Sequence, residues 1–488
     1  MATLLAMLGL ILLGQGCYKE TFITRSGAAV SFSVDTLSFD TVFTAVGSAT
    51  RQIKIYNPHN QTISISRIYL ERGKASFFRI NVDGTTYPTG EAQAVEILAK
   101  DSIYVFVEVT VDPDQPVSIS PFVITEILKA EVNGTTSTVV LEAWGQNAVY
   151  VPSLGAGGQL ALLSCDLMEL VWNDPRPYVI YGLLLIDSCT LRVQAGTRIH
   201  LHGGIVKNDL GVYNDGIIWT LPAGRLVLEG TADRPIIIEG DRLEETFADI
   251  EGQWAGIRLG AGSKGHSMTH TIIRNALVGV RVDSAATLSL QNSRITNTAG
   301  VGLLAVHATI KAENCLFYGQ GSAAFLGSYG GNYTLDYCTL ASFGNRAEAL
   351  YLDNYQCIDE DCSSVRVFTL RFTARNSIFA GSSADEITFV DATEGQEPAA
   401  FVYTMANNVI RVDELLDDFP DFLTKCKDCV PLTGNEKLFK SVDLLDFRLD
   451  SLSVAANKGL PLSQITQDIE GRIRSAVQTD PGCFEQEH

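Results

Sequence analysis

The sequence predicts an all-β chain in which a β-sandwich is followed by a parallel β-helix. Short β-branched segments alternate with turn residues from Val30 onward, and a repeat of about 22 residues follows in the second half. At 488 residues the chain is long for one compact core, whereas a solenoid lengthens without thickening its core.

The composition fits turn-rich β structure and argues against some partners. Charged residues are only 19% of the chain and 42 residues are glycine, which is typical of an ordered β protein rather than a disordered one. The net charge of −20, without any Lys/Arg-rich stretch, excludes nucleic acid as an expected partner. The same charge opposes binding of polyanionic glycans unless a cation intervenes.

Residues 1–17 predict export. Leu4 to Gly16 is an apolar run shorter than the roughly 20 residues of a membrane-spanning helix, so it fits a secretion signal. The alternative, a buried N-terminal strand, lacks the expected alternation. Cys17 directly after Gly16 resembles the lipobox of bacterial lipoproteins. This resemblance implies a lipid on Cys17 and a partner in the outer membrane, with the protein exposed at the cell surface.

Residues 27–148 predict the sandwich. Arg51–Tyr56 ends at a turn, and Thr62–Leu70 alternates in its first part before the next turn, without helical periodicity. Four strings resemble the Ig-like module of a family of Bacteroidota surface lipoproteins: Phe39–Asn57, Phe78–Gly84, Asp101–Pro113 and Leu141–Gln146. The resemblance implies an Ig-like fold and a surface location. The family has no assigned chemistry, so no catalytic residue is carried over.

Residues 150–445 predict the β-helix. A short motif recurs at intervals of 22, 22, 23, 39 and 31 residues, beginning at His270 and continuing at Asn292, Asn314, Tyr337, Asn376 and Asn407. A period near 22 suits one coil, and the longer intervals predict loops thrown out of it. The four asparagines predict a structural turn ladder, with each amide bonding the next coil and the backbone in the left-handed region.

Three further strings resemble the opening coils of right-handed parallel β-helix proteins of the pectin-lyase-like fold: Leu191–Ile199, Gly224–Gly240 and Gly252–Gly260. Trp254 in the last string is expected in the core or as a cap, with a sugar platform as the alternative. Residues 446–488 contain Asp468–Arg472 and Asp480–Glu485, which resemble the ends of bacterial β-helix surface proteins. The resemblance implies a cap on the last coil, with Arg472 or Arg474 as its arginine.

Nine cysteines remain if Cys17 is lipidated, so they cannot all pair. The pairs close in sequence, which are candidates for disulfides in an oxidising compartment, are Cys165 with Cys189, Cys357 with Cys362, and Cys426 with Cys429. A zinc site is the alternative for the last pair, although a second close pair with zinc spacing is missing. Cys315 and Cys338 occupy one repeat position and should stack inside adjacent coils, which leaves Cys483 unpaired.

Candidate ligand-binding chemistry is sparse in the sequence, and no catalytic residue is assigned. The outward positions that could form a ligand face are Trp254, Asp283, His307, Asp336 and Asp353, with Arg274 and Arg294 recurring at about one coil's spacing. Calcium is a weak candidate at Asp359, Glu360 and Asp361, where a solvated charge run is the alternative. No other cofactor is expected.

The leading interpretation is therefore a non-enzymatic surface lipoprotein whose β-helix presents a rigid face to a glycan or a protein. The alternative is a carbohydrate-active enzyme, either a polysaccharide lyase or a glycoside hydrolase, suggested by resemblance of fold alone.

Overall fold

A computed structural model describes residues 21–43, 48, 50–87, 90–111, 122–151, 160–165, 168–208, 211–418, 422–434 and 436–486. The chain divides into two compact units, residues 1–147 and 148–488. In the described ranges, no helix has the length and apolarity needed to cross a membrane. The predicted signal and Cys17 lie outside the described residues.

The described residues of the first unit form a sandwich of two five-stranded sheets. The strands of one sheet, in spatial order, are Ser31–Phe32, Arg51–Tyr56, Ser102–Val109, Phe78–Val82 and Thr85–Thr86. Those of the other are Thr36–Phe43, Thr135–Gln146, Phe122–Val132, Ile63–Leu70 and Glu91–Ile97. A 3-10 turn spans Gly73–Ala75. Inward side chains of both sheets, among them Ile53, Val105 and Leu141, form one core because alternate residues of each strand face the other sheet.

The second unit is a right-handed parallel β-helix, which confirms the predicted fold class. A coil contributes one strand to sheet 1, then sheet 2, then sheet 3; in the described part of the coil that begins at Val409, the helix Glu414–Asp418 stands in place of a sheet 2 strand. The connection from one strand to the next parallel strand of the same sheet is a right-handed crossover.

In the described ranges the sheets have 11, 9 and 10 strands. Sheet 1 comprises Val149–Val151, Tyr178–Tyr181, Arg198–His202, Ile236–Gly240, Thr271–Arg274, Arg294–Thr298, Leu316–Gln320, Thr339–Ser342, Ile378–Gly381, Val409–Arg411 and Val430–Leu432. Sheet 2 comprises Leu160–Leu163, Leu183–Ile186, Ile217–Thr220, Trp254–Leu259, Ala276–Val282, Val301–Val306, Ala323–Ser328, Glu348–Asp353 and Ile387–Val390. Sheet 3 comprises Glu169–Trp172, Thr190–Gln194, Arg225–Glu229, His266–Thr269, Thr287–Gln291, Thr309–Glu313, Gly331–Asp336, Leu370–Arg375, Phe401–Ala406 and Cys426–Lys427.

Among the described residues, three hairpins and three short helical segments project from or flank the coils. The hairpins are Ile205–Asn208 with Gly211–Asn214, Tyr355–Cys357 with Val365–Val367, and Phe439–Ser441 with Asp446–Leu449. The α-helix is Glu414–Asp418, followed by a 3-10 turn at Phe422–Lys425; another 3-10 turn spans Glu245–Phe247.

Inward side chains stack from coil to coil. One column in sheet 1 runs through Ile295, Phe317, Leu340, Phe379 and Ile410, which pair in register and are completely buried. Burial of each such side chain stabilises the fold by about 1.5–3 kcal/mol. The stacking of equivalent residues explains why the repeat is visible in the sequence.

The turn between sheets 3 and 1 carries the predicted asparagines. Asn292, Asn314, Asn376 and Asn407 have φ of 47°, 53°, 51° and 55°. The Asn314 amide donates to Asn292 Oδ1 at 3.0 Å, whereas the Asn376 and Asn407 amides donate to carbonyls of the C-terminal segment. Tyr337 occupies the same turn position between Asn314 and Asn376, so only part of the ladder bonds from coil to coil.

The segment after residue 449 lies along the outer face of sheet 1 instead of across the last coil. Gly482 N–H donates to Asn376 O at 2.7 Å, and Cys483 N–H donates to Thr339 Oγ1 at 3.0 Å. The last coils pack instead against the segment around Phe422, whose ring lies 6.3 Å from that of Phe389. The predicted position of the cap therefore differs from the observed one, because the outer face of sheet 1 is itself apolar and needs cover.

The cysteines pair as their sequence proximity suggests. Disulfides join Cys165 to Cys189, Cys357 to Cys362 and Cys426 to Cys429, so the last pair is not in the free form that a zinc site requires. Cys315, Cys338 and Cys483 are buried thiols. Burial and the neighbouring Cys315 raise the pKa of the Cys338 thiol, which keeps it protonated and unreactive.

Candidate functional site

The predicted ligand-face residues fall on different parts of the coils. Asp283, His307 and Asp353 follow strands of sheet 2 or end one, so they lie at the corner between sheets 2 and 3. Asp283 and Asp353 are three coils apart, roughly 14 Å at the spacing of paired strands. The three residues therefore lie along the same corner of the β-helix, but the carboxyl groups of Asp283 and Asp353 are too far apart to touch.

Asp283 anchors two arginines. Arg258 Nε donates to Asp283 Oδ2 at 2.6 Å and Arg281 Nε donates to Oδ1 at 2.7 Å. The Arg258 guanidinium also lies 4.3 Å from the centre of the Trp219 ring. Asp283 is 6% exposed, so it holds the arginines rather than meeting a ligand itself. We call Trp219, Arg258, Arg281 and Asp283 the arginine–tryptophan patch.

His307 and Asp353 have structural partners at the same corner. His307 Nδ1 lies 2.9 Å from Tyr329 O, and its ring lies 5.0 Å from that of Phe368. Asp353 accepts hydrogen bonds from Ser328 Oγ and from Tyr329 N–H, both at 2.8 Å. Burial raises the pKa of Asp353 above its usual range despite these donors.

Two of the predicted ligand-face residues are buried, so a ligand cannot reach them. Trp254 is 1% exposed and donates through Nε1 to Arg274 O at 2.9 Å, so the sugar-platform alternative is wrong and the core interpretation describes its position. Asp336 is completely buried and accepts two hydrogen bonds from Arg375, at 2.7 and 2.6 Å. Both residues stabilise the coil.

The acidic loop does not assemble a calcium site. In the part of the chain that the structure describes, no group of three or more His, Cys, Asp or Glu side chains is placed to hold a metal ion. Asp359 instead accepts hydrogen bonds from Ser363 N–H and Oγ at 2.7 and 2.8 Å, which lowers its pKa. The loop is a turn closed by the Cys357–Cys362 disulfide.

A denser polar cluster lies on the outer face of sheet 1, in the early coils. His200 and His202 alternate on one strand, and the next strand places Glu239 opposite His200 with Asp241 beside His202. His202 Nδ1 lies 2.7 Å from Asp241 Oδ2, and its ring centre lies 4.8 Å from that of Tyr181. We call His200, His202, Glu239, Asp241, Tyr181 and Arg274 the histidine cluster.

The cluster has a buried row and an open row. His200 is 1% and Glu239 is 6% exposed, with His200 Nδ1 lying 3.6 Å from Glu239 Oε1 and Arg274 Nε donating to Glu239 Oε2 at 2.5 Å. His202 keeps 41% of its side chain exposed while Asp241 keeps 14%. Solvent, and therefore a ligand, reaches His202 rather than His200.

Burial and charge separate the protonation behaviour of the two histidines. Burial lowers the pKa of His200, so it stays neutral, whereas the hydrogen bond that His202 donates to the Asp241 carboxylate raises the pKa of His202. Burial, with Asp241 nearby, raises the pKa of Tyr181, which keeps its hydroxyl protonated. That hydroxyl is buried and has no hydrogen-bond partner among the described residues. An exposed histidine base thus lies beside a neutral, buried tyrosine hydroxyl.

The sequence contained one signal for this cluster, the alternation of polar residues in Ile199-His-Leu-His202 within an apolar strand. The partner strand begins 38 residues after Arg198 because the hairpin Ile205–Asn214 interrupts the coil. A search at the 22-residue period therefore does not align His202 with Asp241. Only the register of the folded strands pairs them.

No protein-family model matches the chain, and no curated protein matches it. Among solved structures, the chain is similar to pectate lyase Pel9A, with 11% identity, a TM-score of 0.35, and coverage of 70% of this chain and 88% of the other. It is also similar to the catalytic unit of a thermostable GH87 α-1,3-glucanase from Streptomyces thermodiastaticus, with 13% identity, a TM-score of 0.28, and coverage of 73% and 66%.

A third similar structure is a family 123 glycoside hydrolase from Clostridium perfringens, with 7% identity, a TM-score of 0.17, and coverage of 24% of this chain and 26% of the other. The pectate lyase and the glucanase are themselves parallel β-helix proteins. At these levels of identity and TM-score, the likeness carries no argument about the activity of this chain.

Proposed function

We propose that this protein is a carbohydrate-active enzyme and that His202 transfers protons in its reaction. The observation that carries the proposal is the pairing of half-exposed His202 with Asp241 beside the unpartnered Tyr181 hydroxyl. The sequence-based preference for a non-enzymatic role depended on the apparent absence of a convergent polar cluster. The histidine cluster removes that premise.

The geometry supports general acid–base chemistry. Asp241 holds Nδ1 of His202, so the other ring nitrogen, Nε2, is the one offered to a substrate. There it can take a proton from a sugar carbon or from a water molecule. Because the Tyr181 hydroxyl is buried, water at the half-exposed His202 supplies the proton to the departing glycosidic oxygen. Elimination and hydrolysis both use this pair of transfers, and the product distinguishes them.

The test is a panel of neutral and acidic polysaccharides incubated with the purified full chain, scored for new reducing ends and for unsaturated products. His202→Gln is expected to lower the rate by about a hundredfold or more, the usual contribution of a positioned proton-transfer group. His59→Gln is the matched control, because His59 lies in the sandwich and contacts Ala29 O at 3.0 Å. Absence of product from every polysaccharide, or full activity of His202→Gln, would overturn the proposal.

The pH profile supplies an independent readout. Because Asp241 raises the pKa of His202, the base form is lost on acidification at a pH above the ordinary value of 6.5. Asp241→Asn should move the acidic limb of kcat/KM to lower pH, in addition to slowing the reaction. A purely structural Asp241 would leave the position of that limb unchanged.

We also propose that the enzyme is exported and anchored to the outer membrane at the cell surface through a lipid on Cys17. The apolar run Leu4 to Gly16 directly before Cys17 supports this location. A Cys17→Ala variant expressed in a Bacteroidota host should lose palmitate labelling and leave the outer-membrane fraction. Retention of both properties would refute the anchor.

A second candidate function is glycan binding without catalysis, favoured by the arginine–tryptophan patch. Arg258 and Arg281 are fixed by one carboxylate on adjacent coils, and Arg258 stacks on Trp219, which gives a preorganised cationic and aromatic surface. Under this function, polysaccharides bind without product, Arg281→Met weakens binding, and His202→Gln does not.

A further inference from the structure

We propose that a cleft at the corner between sheets 2 and 3 binds an anionic saccharide, one that carries a carboxylate or a sulfate ester. The cleft has a volume of about 630 Å³, within the range of roughly 300–1,000 Å³ for ligand sites. Its lining includes Met168, Ser188, Thr190, Pro222, Arg225 and Lys264. The site lies on a different corner from His202 and does not depend on the proposed reaction.

The described lining residues carry positive charge and no negative charge. Arg225 and Lys264 are exposed and lie on successive coils, and no Asp or Glu is among the lining residues. Within the described ranges neither cation forms an ion pair, and Arg225 donates instead to the Lys264 carbonyl at 3.3 Å. Two cations that converge on one cleft without a carboxylate give it a local positive potential, which attracts an anion despite the net charge of −20.

The overall negative charge does not prevent this binding. Exposed charges are screened beyond about 8 Å at physiological ionic strength, so a ligand in the cleft responds mainly to the nearest charges. The same cleft offers a sugar ring its other usual contacts. Ser188 and Thr190 supply hydroxyl groups, and Met168 and Pro222 supply exposed apolar surface.

A buried polar chain fixes the loop that carries Lys264. Leu226 N–H donates to His266 Nδ1 at 3.0 Å, so Nε2 carries the proton and donates to Ser263 Oγ at 2.8 Å. Ser263 Oγ in turn donates to Gly260 O at 2.6 Å, and both His266 and Ser263 are buried. The Arg225 guanidinium lies against Gly265 of the same loop. The Arg225 guanidinium and the backbone that carries Lys264 are thus held in place before a ligand arrives, which lowers the entropic cost of binding.

The Cys165–Cys189 disulfide stiffens the opposite wall. Thr190 N–H donates to Met168 O at 2.9 Å, and Arg225 N–H donates to Cys189 O at 2.9 Å, so three successive coils are tied at this corner. The cleft is therefore part of the rigid coil body rather than a gap between loops.

The test is calorimetric titration of the full chain with three probes of equal length: a trigalacturonate, a sulfated trisaccharide and a neutral galactotriose. We expect one or both anionic probes to bind at least tenfold more tightly than the neutral one, and the difference to shrink at high salt. Arg225→Met with Lys264→Met should remove the preference. Lys264→Met alone, at an exposed position, should reduce it about tenfold without affecting the fold.

Arg371→Met is the matched control, because Arg371 is an exposed arginine on sheet 3 away from the cleft. Preference for the carboxylate, for the sulfate or for both supports the proposal and assigns the anion. Equal binding of all three probes, absence of binding, or an unchanged preference in both cleft variants overturns it. None of these outcomes depends on catalytic turnover. The proposal of an anion-binding cleft can therefore hold when the proposed enzymatic activity is refuted, and the activity can hold when the cleft proposal is refuted.

Discussion

Removal of the Arg474 side chain should release the C-terminal segment from sheet 1. Arg474 is 5% exposed, and its guanidinium donates to Asn314 Oδ1 at 2.7 Å and to Glu485 Oε2 at 3.1 Å. It also lies 3.8 Å from the centre of the Tyr337 ring. Breaking a buried ion pair by removing one partner costs about 3–5 kcal/mol, because the other charge stays buried. Arg474→Met should therefore raise the open population of the segment by a hundredfold or more.

Arg472→Met is the control from the same segment. Its side chain is 34% exposed and pairs with Glu470 at 3.1 Å, and such pairs contribute only about 0–1 kcal/mol. The expected increase in opening is less than about fivefold. Limited proteolysis under conditions where cleavage is slower than reclosing measures the open population. Equal cleavage rates for the two variants, or a change below tenfold for Arg474→Met, would refute the reasoning.

Three further perturbations test the packing and the pKa shifts. Burial lowers the pKa of His266 to about 4, so below pH 6.5 the unfolded chain binds more protons than the folded one. The free energy of unfolding should therefore fall by up to about 3 kcal/mol between pH 6.5 and 4. In urea titrations, His266→Asn should remove this pH-dependent loss of stability. Burial raises the pKa of Glu386 to about 7, so stability should instead fall by up to about 3 kcal/mol as pH rises from 4.5 through 7. In the same titrations, the free energy of unfolding of Glu386→Gln should depend less on pH over this range. An unchanged pH dependence would contradict the raised pKa of Glu386. Gly256→Ala places Cβ 1.8 Å from Val278 O at φ +128°, which should cost about 3 kcal/mol or more, whereas Gly434→Ala, with its nearest atom at 3.6 Å, should leave thermal unfolding unchanged.

The candidate site shows where sequence reasoning stopped. Asp283 was recognisable as an outward carboxylate, yet its two arginine partners come from its own coil and the preceding one, and they leave it 6% exposed. Trp254 appeared beside a conspicuous glycine pattern, but its indole is inside the coil. Whether a polar side chain is offered to a ligand depends on what the neighbouring coils place against it, and a single sequence does not contain that information.

The sequence by itself determined the all-β class, the coil period and the turn positions of the asparagines, because each coil repeats the same local demands on apolar spacing and left-handed backbone. It also placed the three pairs of neighbouring cysteines. Only the tertiary structure decided that His202 meets Asp241 and that Arg225 and Lys264 share one cleft. In both cases the partners lie 39 residues apart in the chain. Inserted loops lengthen those coils beyond the visible period, and strand register alone brings the side chains together.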